Sequence, residues 1–222
     1  MSQWIELTAA DGHRFKAWEA KPSGTPRGAL IVAPEIFGIN SHIRAVADGY
    51  AADGYLTVAP ALFDRARRDF ETGYEQADID AGIAVMQKLD NENALLDLQA
   101  VAEHLRPAGK LGIVGYCWGG TLAWLSAARL PGLSAAIAYY GGGIPGLIGL
   151  KPACPTICHF GERDTHPSLE QAKAVAAAHP EVVSHFYAAG HGFNCDQRGS
   201  YDAEAARLAR TRTLAHLAAH VG

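Results

Sequence analysis

Three side chains that could perform nucleophilic catalysis each follow a separate apolar run of the chain. Cys117 lies in GYCWGG after KLGIVGY, Asp164 in GERDTH after TICHF, and His191 in AAGHGF after VVSHFY. A free thiol has a pKa of about 8.5, so it is mostly protonated at neutral pH. A cysteine nucleophile therefore needs a base, together with a group that orients that base. A cysteine, a histidine and a carboxylate predict hydrolysis through a covalent acyl intermediate.

The cysteine stands in a turn whose composition suits the display of one side chain. Gly115, Cys117 and Gly119 form GxCxG between an apolar run and the helical run TLAWLSAARL. Such an elbow holds its central residue in strained backbone geometry, and small neighbours let strand and helix approach each other. The side chain then lies at a helix N-terminus, where backbone N–H groups favour a thiolate. Glycine-rich turns also bind phosphates, but GYCWGG lacks the GxGxxG spacing and the Lys-Ser/Thr pair of the two main phosphate loops.

Short apolar runs alternate with stretches of helical periodicity, which is typical of a mainly parallel sheet with helices on both faces. The turn signal Asp11-Gly12 between the first two runs indicates an opening antiparallel hairpin. No repeat, low-complexity tract or long linker interrupts the pattern, so residues 1–222 are predicted to form a single α/β domain. The predicted strands span 4–9, 13–20, 28–34, 55–60, 110–116, 134–140, 156–160 and 182–187, and the predicted helices 41–53, 76–89, 92–105, 118–130, 167–178 and 200–219.

The order of the three candidate residues narrows the fold class. Nucleophile, acid and histidine follow one another along the chain, each in a loop beyond a strand, which is the order of the α/β-hydrolase triad. In that fold, two backbone N–H groups form the oxyanion hole, one from the residue after the nucleophile and one from the loop after the third strand. We expect these donors to be the backbones of Trp118 and Ile36.

Composition and charge exclude several other classes of protein. Of the 222 residues, 49% are hydrophobic and 19% are charged, and the formal net charge of -4 comes without a basic face. Nucleic acid and membranes are therefore not expected as partners. No stretch has the roughly 18 uninterrupted apolar residues of a membrane span, and the first residues do not resemble a signal peptide. We expect a cytoplasmic protein whose four cysteines stay reduced.

The sequence resembles the dienelactone hydrolase (carboxymethylenebutenolidase) family of α/β-hydrolases. The resemblance extends from VAPEIFGIN (32–40) through YLTVAP, GIVGYCWGG, AYYGGGI and HFGERD to HGF and the terminal helix. Cysteine in place of the usual hydrolase serine in GYCxGG, together with an early PExFG, marks this family. The resemblance implies hydrolysis of an ester or lactone without a metal or cofactor, with Cys117 as nucleophile, His191 as base and Asp164 as orienting acid. It also implies that Glu35 lies beside the thiol and takes its proton when substrate binds.

Candidate substrate contacts come from the same resemblance and from position in the chain. Family members that act on dienelactone hold its carboxylate with arginines, one of them four residues beyond the histidine, where this chain has Cys195. An arginine three residues further on is the candidate substitute. The stretch 65–74 offers a second arginine and a tyrosine. Three further aromatic residues are expected either to line the pocket or to lie in the core. The candidates are Arg198, Arg68, Tyr74, Phe37, Tyr139 and Tyr140. The substrate is either a dienelactone or another, uncharged ester or lactone.

Most other reactive side chains are predicted to have no catalytic role. Cys154, Cys158 and His159 have the spacing CxxxCH without a second pair downstream, which disfavours zinc and favours buried thiols. His159 and His185 are expected in the core or at a sheet edge. The histidines at 42 and 179 are predicted to occupy surface or helix positions, and Asp97 is predicted to lie on a solvent-exposed helix face. Residues 63–73 are predicted to form a loop over the site, with a solvated basic cluster.

Two other functions stay open beside the hydrolase. One is a small-molecule-binding protein that has lost catalysis, although all three triad members are present. The other is a thiol redox sensor, which needs a resolving cysteine near Cys117, and none is adjacent in sequence. The predicted assembly is a monomer or a small homo-oligomer.

Overall fold

The computed structural model of the protein describes every residue from Met1 to Gly222. Two compact units divide the chain, Met1–Leu111 and Gly112–Gly222, and each contains β-strands and helices. The single domain over residues 1–222 stays a prediction. None of the helices has both the length and the apolar character that crossing a membrane requires.

The first unit opens with the predicted hairpin, in which β1 (Ser2–Thr8) runs antiparallel to β2 (Arg14–Ala20). β3 (Ala29–Ala33) is parallel to β4 (Leu56–Pro60), and β4 is antiparallel to β2, so the order in this unit is β1-β2-β4-β3. Every residue of β3 is buried, as expected of a strand covered on both faces. The helices of the unit are α1 (Ser41–Ala52), α2 (Gln76–Met86) and α3 (Asn91–Leu105).

The second unit holds the strands that precede the candidate catalytic residues. They are β5 (Leu111–Tyr116), which begins at the boundary, β6 (Leu133–Tyr139), β7 (Thr156–Gly161) and β8 (Val183–Tyr187), in that order across the sheet. β6, β7 and β8 are parallel, so the loops that follow them leave from the same edge. The helices of the unit are α4 (Trp118–Arg129), α5 (Leu169–Ala178) and α6 (Ala203–His220).

The predicted elements are confirmed, and the differences lie at their ends. α5 begins after Ser168 because the Ser168 hydroxyl accepts a hydrogen bond from the Gln171 N–H, which caps the helix. α6 likewise begins after Asp202, whose carboxylate accepts from the Ala205 N–H. Single turns of 3-10 helix were not predicted, since one turn shows no periodicity. They span Leu62–Arg65, Arg106–Ala108 and Ile144–Leu147.

The prediction that Asp97 lies on a solvent face is wrong. Its side chain is 0% exposed, and its two carboxylate oxygens accept from Arg65 at 2.8 and 2.7 Å. Arg65 also pairs with Asp11 at 2.7 Å, so the basic residues after β4 are not all solvated. Burial raises the pKa of Asp97, and the contact with Arg65 offsets this only in part. A carboxylate is tolerated at this buried helix position because the guanidinium binds it.

The predicted surface or helix position is met for His42, which lies in α1, although its side chain is buried. The same prediction is wrong for His179, which is buried and follows the end of α5. The His179 Nε2 atom lies 2.7 Å from the carbonyl oxygen of Ile148, and its ring packs edge-on to Trp124 at 5.0 Å. His42 packs edge-on to the ring of Tyr74 at 6.4 Å. An imidazole ring has apolar carbons as well as polar nitrogens, so its position along the chain does not by itself decide its burial.

Arg65→Met should lower the free energy of unfolding by about 3–5 kcal/mol, because it leaves the Asp97 carboxylate buried without its partner. Arg68→Met is the matched control, since Arg68 is 49% exposed and pairs with Glu6. Such a surface pair contributes about 0–1 kcal/mol. Urea denaturation measures both variants, and equal losses would contradict a structural role for the buried pair.

Candidate active site

The backbone at Cys117 forms the predicted elbow between β5 and α4. Cys117 has φ 55° and ψ -117°, a conformation that non-glycine residues adopt rarely. A Cβ on Gly115 would lie 1.8 Å from the carbonyl oxygen of Gly119, so only glycine lets strand and helix come this close. The Cys117 N–H donates to the carbonyl oxygen of Tyr139 at 3.0 Å, which ties the elbow to the end of β6.

Asp164 and His191 lie together at the ends of β7 and β8. His191 Nδ1 is 2.8 Å from Asp164 Oδ2, and Asp164 Oδ1 accepts the backbone N–H of His166 at 2.7 Å. The Asp164 side chain is 1% exposed, so its hydrogen bonds are shielded from water. A backbone hydrogen bond of 2.9 Å from Arg163 N to Ala189 O joins the two loops. The carboxylate can therefore fix the orientation of the imidazole.

The surroundings of His191 raise its pKa to about 10. Burial is the largest single effect and acts in the opposite direction, since it lowers the pKa. It is outweighed by electrostatic attraction to Cys117, by hydrogen bonds with Asp164 and Cys117, and by the charge of Asp164. His191 is hydrogen-bonded to the cysteine on one side and to the carboxylate on the other, and both contacts favour its protonated form. The structure brings together all three residues of the predicted triad.

Aromatic rings pack behind the candidate histidine. The ring of Tyr140 lies edge-on to His191 at 5.1 Å, and Phe193 packs against Tyr140 at 5.3 Å. Tyr139 and Tyr140 are both fully buried, and the hydroxyl of Tyr139 is 2.7 Å from Thr213 Oγ1. Tyr140 therefore contacts the candidate site directly, whereas Tyr139 contacts it through its backbone.

Arg198 lies beside the histidine loop. A Cβ on Gly192 would be 2.4 Å from Nη1 and 2.7 Å from Cζ of Arg198, so the guanidinium lies across the Cα of Gly192. Gly192 directly follows His191. A cation therefore borders the candidate site, while Cys195, at the position where the family resemblance calls for arginine, is buried.

Three further predicted residues lie side by side in the first unit, in the loop after β3. Glu35, Ile36 and Phe37 are all buried. The ring of Phe37 packs edge-on to Tyr74 at 4.6 Å, and the Tyr74 hydroxyl accepts from Asn40 Nδ2 at 2.9 Å. Phe37 and Tyr74 are thus brought together. The proton transfer to Glu35 and the oxyanion contact of Ile36 stay predictions.

Arg68 lies away from this loop, against the opening hairpin. Its guanidinium donates to Glu6 Oε2 at 3.0 Å and to the carbonyl oxygen of Arg14 at 3.3 Å. Nearby, the Lys16 N–H donates to Asp64 Oδ2 at 3.0 Å, so the segment after β4 is anchored to the hairpin. Substrate binding by Arg68 stays a prediction, and it would require the ion pair with Glu6 to break.

Sequence reasoning missed the partners of His159, which is fully buried as predicted. His159 Nδ1 lies 2.7 Å from the Tyr187 hydroxyl, and Nε2 lies 3.1 Å from Thr213 Oγ1. Both ring nitrogens are hydrogen-bonded, so His159 is not positioned as a metal ligand. A single threonine in a helix rich in alanine and leucine gives no sequence signal of such a contact.

Known proteins resemble the chain over nearly its whole length. Residues 15–221 match the dienelactone hydrolase family. Carboxymethylenebutenolidase of Pseudomonas putida is 32% identical over 231 residues, which cover 98% of this chain and 97% of that protein. Carboxymethylenebutenolidase 1 of Cupriavidus pinatubonensis is 31% identical, again with coverage of 98% and 97%.

Solved structures share the fold. A Klebsiella pneumoniae protein assigned as a dienelactone hydrolase has a TM-score of 0.82 and 30% sequence identity, with coverage of 98% of this chain and 99% of that chain. An esterase of Pyrococcus furiosus has a TM-score of 0.76 at 15% identity, which supports the fold alone. The elbow at Cys117 and the mainly parallel strands are those of an α/β-hydrolase fold. Because the matches extend over nearly the whole chain, the protein belongs to the dienelactone hydrolase family.

Proposed function

We propose that the protein is a cysteine-dependent hydrolase of esters or lactones, in which Cys117 is the nucleophile, His191 carries the proton and Asp164 orients the histidine. One observation carries the proposal: Cys117, His191 and Asp164 form a hydrogen-bonded series in which the pKa of His191 rises to about 10. Membership of a hydrolase family supports the same assignment. The cysteine would attack the bound substrate as a thiolate paired with an imidazolium.

In the first half-reaction, the Cys117 sulfur forms a bond to the acyl carbon, and the carbonyl π electrons move onto oxygen. The backbone N–H groups of Trp118 and Ile36 are the proposed donors to this oxyanion. When the carbonyl re-forms, the bond to the leaving oxygen breaks with its electron pair, and that oxygen takes the proton of His191 Nε2. The products are a thioester, a neutral imidazole and the alcohol or enol.

Acylation itself prepares His191 for the second half-reaction. A thioester carries no charge, so the effect of the Cys117 charge on the pKa of His191 disappears while burial continues to lower that pKa. The neutral imidazole accepts a proton from water as the water oxygen attacks the thioester carbon. Collapse breaks the C–S bond, returns its electron pair to sulfur and releases the carboxylic acid. The thiolate and the imidazolium are then restored.

Glu35 has a proposed role before the first half-reaction. Following the family resemblance, its carboxylate accepts the thiol proton when substrate binds, which leaves the thiolate beside the imidazolium. After the product leaves, Glu35 returns this proton to the sulfur. Its place in the buried loop after β3 suits a proton acceptor that is shielded from bulk water.

Arg198 extends the proposal to the class of substrate. Its guanidinium lies across Gly192 next to His191, and a guanidinium binds a carboxylate through two parallel hydrogen bonds. The relatives from Pseudomonas putida and Cupriavidus pinatubonensis are carboxymethylenebutenolidases. We therefore propose an enol lactone with a free carboxylate as substrate, and an uncharged ester or lactone as the alternative.

Cys117→Ala should lower the turnover of an aryl acetate at least about 10³-fold, because the thioester can no longer form. Cys154→Ala, a partly exposed thiol of the same unit, is the matched control and should keep wild-type turnover. Mass spectrometry of quenched enzyme should find one acyl group on the wild type and on Cys154→Ala, and none on Cys117→Ala.

Two results of the same experiment would contradict the proposal. Turnover retained in Cys117→Ala would exclude this nucleophile. Wild-type protein that binds esters without turnover or acylation would instead be a binding protein that has lost catalysis.

The kcat/KM for an aryl acetate should fall as the pH rises through about 10, because His191 then loses the proton that the leaving group needs. Asp164→Asn removes a charge and changes a hydrogen bond that raise this pKa, so its alkaline limb should move to lower pH. The profile is measured with Cys117→Ala as the blank for hydroxide-driven hydrolysis. An alkaline limb that Asp164→Asn leaves in place would show that His191 does not set it.

Arg198→Gln should lower kcat/KM for a dienelactone with a free carboxylate by about tenfold to a hundredfold, the loss expected for a hydrogen bond between charged groups. It should change the turnover of a neutral aryl acetate far less. Arg163→Gln is the matched control, since Arg163 is exposed in the same unit and lies 3.9 Å from Asp202. An unchanged dienelactone rate would place the carboxylate site elsewhere, and turnover of the aryl ester alone would indicate an uncharged substrate.

A further inference from the structure

A buried polar network with no part in the proposed chemistry joins β6, β7, β8 and α6. Tyr139, His159 and Thr213 are each 0% exposed, and Tyr187 is 4% exposed. The distances are 2.7 Å from Tyr139 OH to Thr213 Oγ1, 3.1 Å from Thr213 Oγ1 to His159 Nε2, and 2.7 Å from His159 Nδ1 to Tyr187 OH. An unbroken series of hydrogen bonds therefore connects the terminal helix to the end of β6.

Burial and neighbouring charge keep the imidazole of this network neutral. Burial, followed by electrostatic repulsion from His185, Arg212 and His216, lowers the pKa of His159 well below its ordinary value, so the ring is neutral. Arg212 donates to the oxygen of Tyr187 and lies over its ring, with Cζ 5.3 Å from the centroid. A neutral imidazole donates through one ring nitrogen and accepts through the other, so His159 donates to one of the two hydroxyls, of Tyr187 and Thr213, and accepts from the other.

The network ends on the backbone that holds the elbow. The carbonyl oxygen of Tyr139 accepts the Cys117 N–H at 3.0 Å and would lie 2.5 Å from a Cβ on Gly120. The next residue, Tyr140, has φ 37°, and its N–H donates to the carbonyl oxygen of His159 at 2.8 Å. Its ring packs against His191 at 5.1 Å. Tyr139 and Tyr140 are thus both held by the network, and Tyr139 contacts Cys117 while Tyr140 contacts His191.

We propose that Thr213 and His159 are positioning residues, which hold Tyr139 and Tyr140 and through them align the Cys117 backbone with the His191 ring. The inference rests on the proposed function of Cys117 and His191, and adds the source of their alignment. A strained residue such as Cys117 keeps its geometry only where its surroundings over-determine it. A polar network in which every group has a hydrogen-bond partner restricts the core to one arrangement. Apolar contacts of equal volume restrict the arrangement less, because they have no preferred direction.

The test removes the hydroxyl of Thr213 while keeping its shape. Thr213→Val loses the hydroxyl, Thr213→Ser keeps it, and Thr211→Val on the exposed face of the same helix is the matched control. Tyr139→Phe removes the other end of the same hydrogen bond and serves if Thr213→Val does not fold. Each variant is measured for thermal unfolding, for kcat and KM with an aryl acetate well below the unfolding temperature, and for the rate of Cys117 alkylation by iodoacetamide as a function of pH.

We expect Thr213→Val and Tyr139→Phe to lower kcat about tenfold or more with little change in KM, since a displacement of about 1 Å at reacting groups can cost about a hundredfold in rate. The pH profile of Cys117 alkylation should shift in the same two variants. Thr213→Ser and Thr211→Val should keep the wild-type kcat and the wild-type profile.

A lower unfolding temperature with wild-type kcat, KM and alkylation profile in Thr213→Val and Tyr139→Phe would overturn the proposal, because the network would then only stabilise the fold. Failure of the proposed function gives a different result. Ester turnover that survives in Cys117→Ala would remove the nucleophile that the network is proposed to align, whatever the Thr213 variants show.

Discussion

The turn at Cys117 is the constraint on which the candidate site depends. Its φ of 55° lies outside the regions that residues with a side chain prefer, at a cost on the order of 1–3 kcal/mol that the surrounding packing has to offset. The turn is possible because glycines at 115 and 120 leave room for the carbonyl oxygens of Gly119 and Tyr139. The backbone therefore decides where the thiol is, and the loops after β7 and β8 supply partners for a sulfur whose position is already fixed.

The parts of the molecule that the sequence predicted are those with local signals. Each central strand is a continuous apolar run, and the glycines around Cys117 show the elbow within six residues, GYCWGG. The chain order then placed Asp164 and His191 after successive strands. Because β7 and β8 pair in parallel, the two loops leave from one edge, and the side chains meet at 2.8 Å. Local patterns and one topological rule were thus enough to predict that Asp164 and His191 lie together.

The parts that were missed depend on contacts between residues far apart in the chain. Asp97 is tolerated in the core because the guanidinium of Arg65, 32 positions away, donates hydrogen bonds to its carboxylate. The hydrophobic periodicity of α3 does not indicate that partner. Thr213 and His159 are 54 positions apart and meet inside the second unit. The raised pKa of His191 also needs three-dimensional contacts, since it results from opposing effects of burial and neighbouring charge. Such properties follow from which side chains share a buried volume, and sequence periodicity does not specify that.

The contact between Arg198 and Gly192 couples two positions that differ in chemistry. The guanidinium occupies the volume that a side chain at position 192 would take, with Nη1 2.4 Å from the place of a Cβ. Any residue larger than glycine at 192 would push the guanidinium aside, so a neutral substitution there moves a positive charge relative to His191. In evolutionary terms, selection on that charge acts on two sites at once, and covariation between them is expected even though one of the two carries no charge.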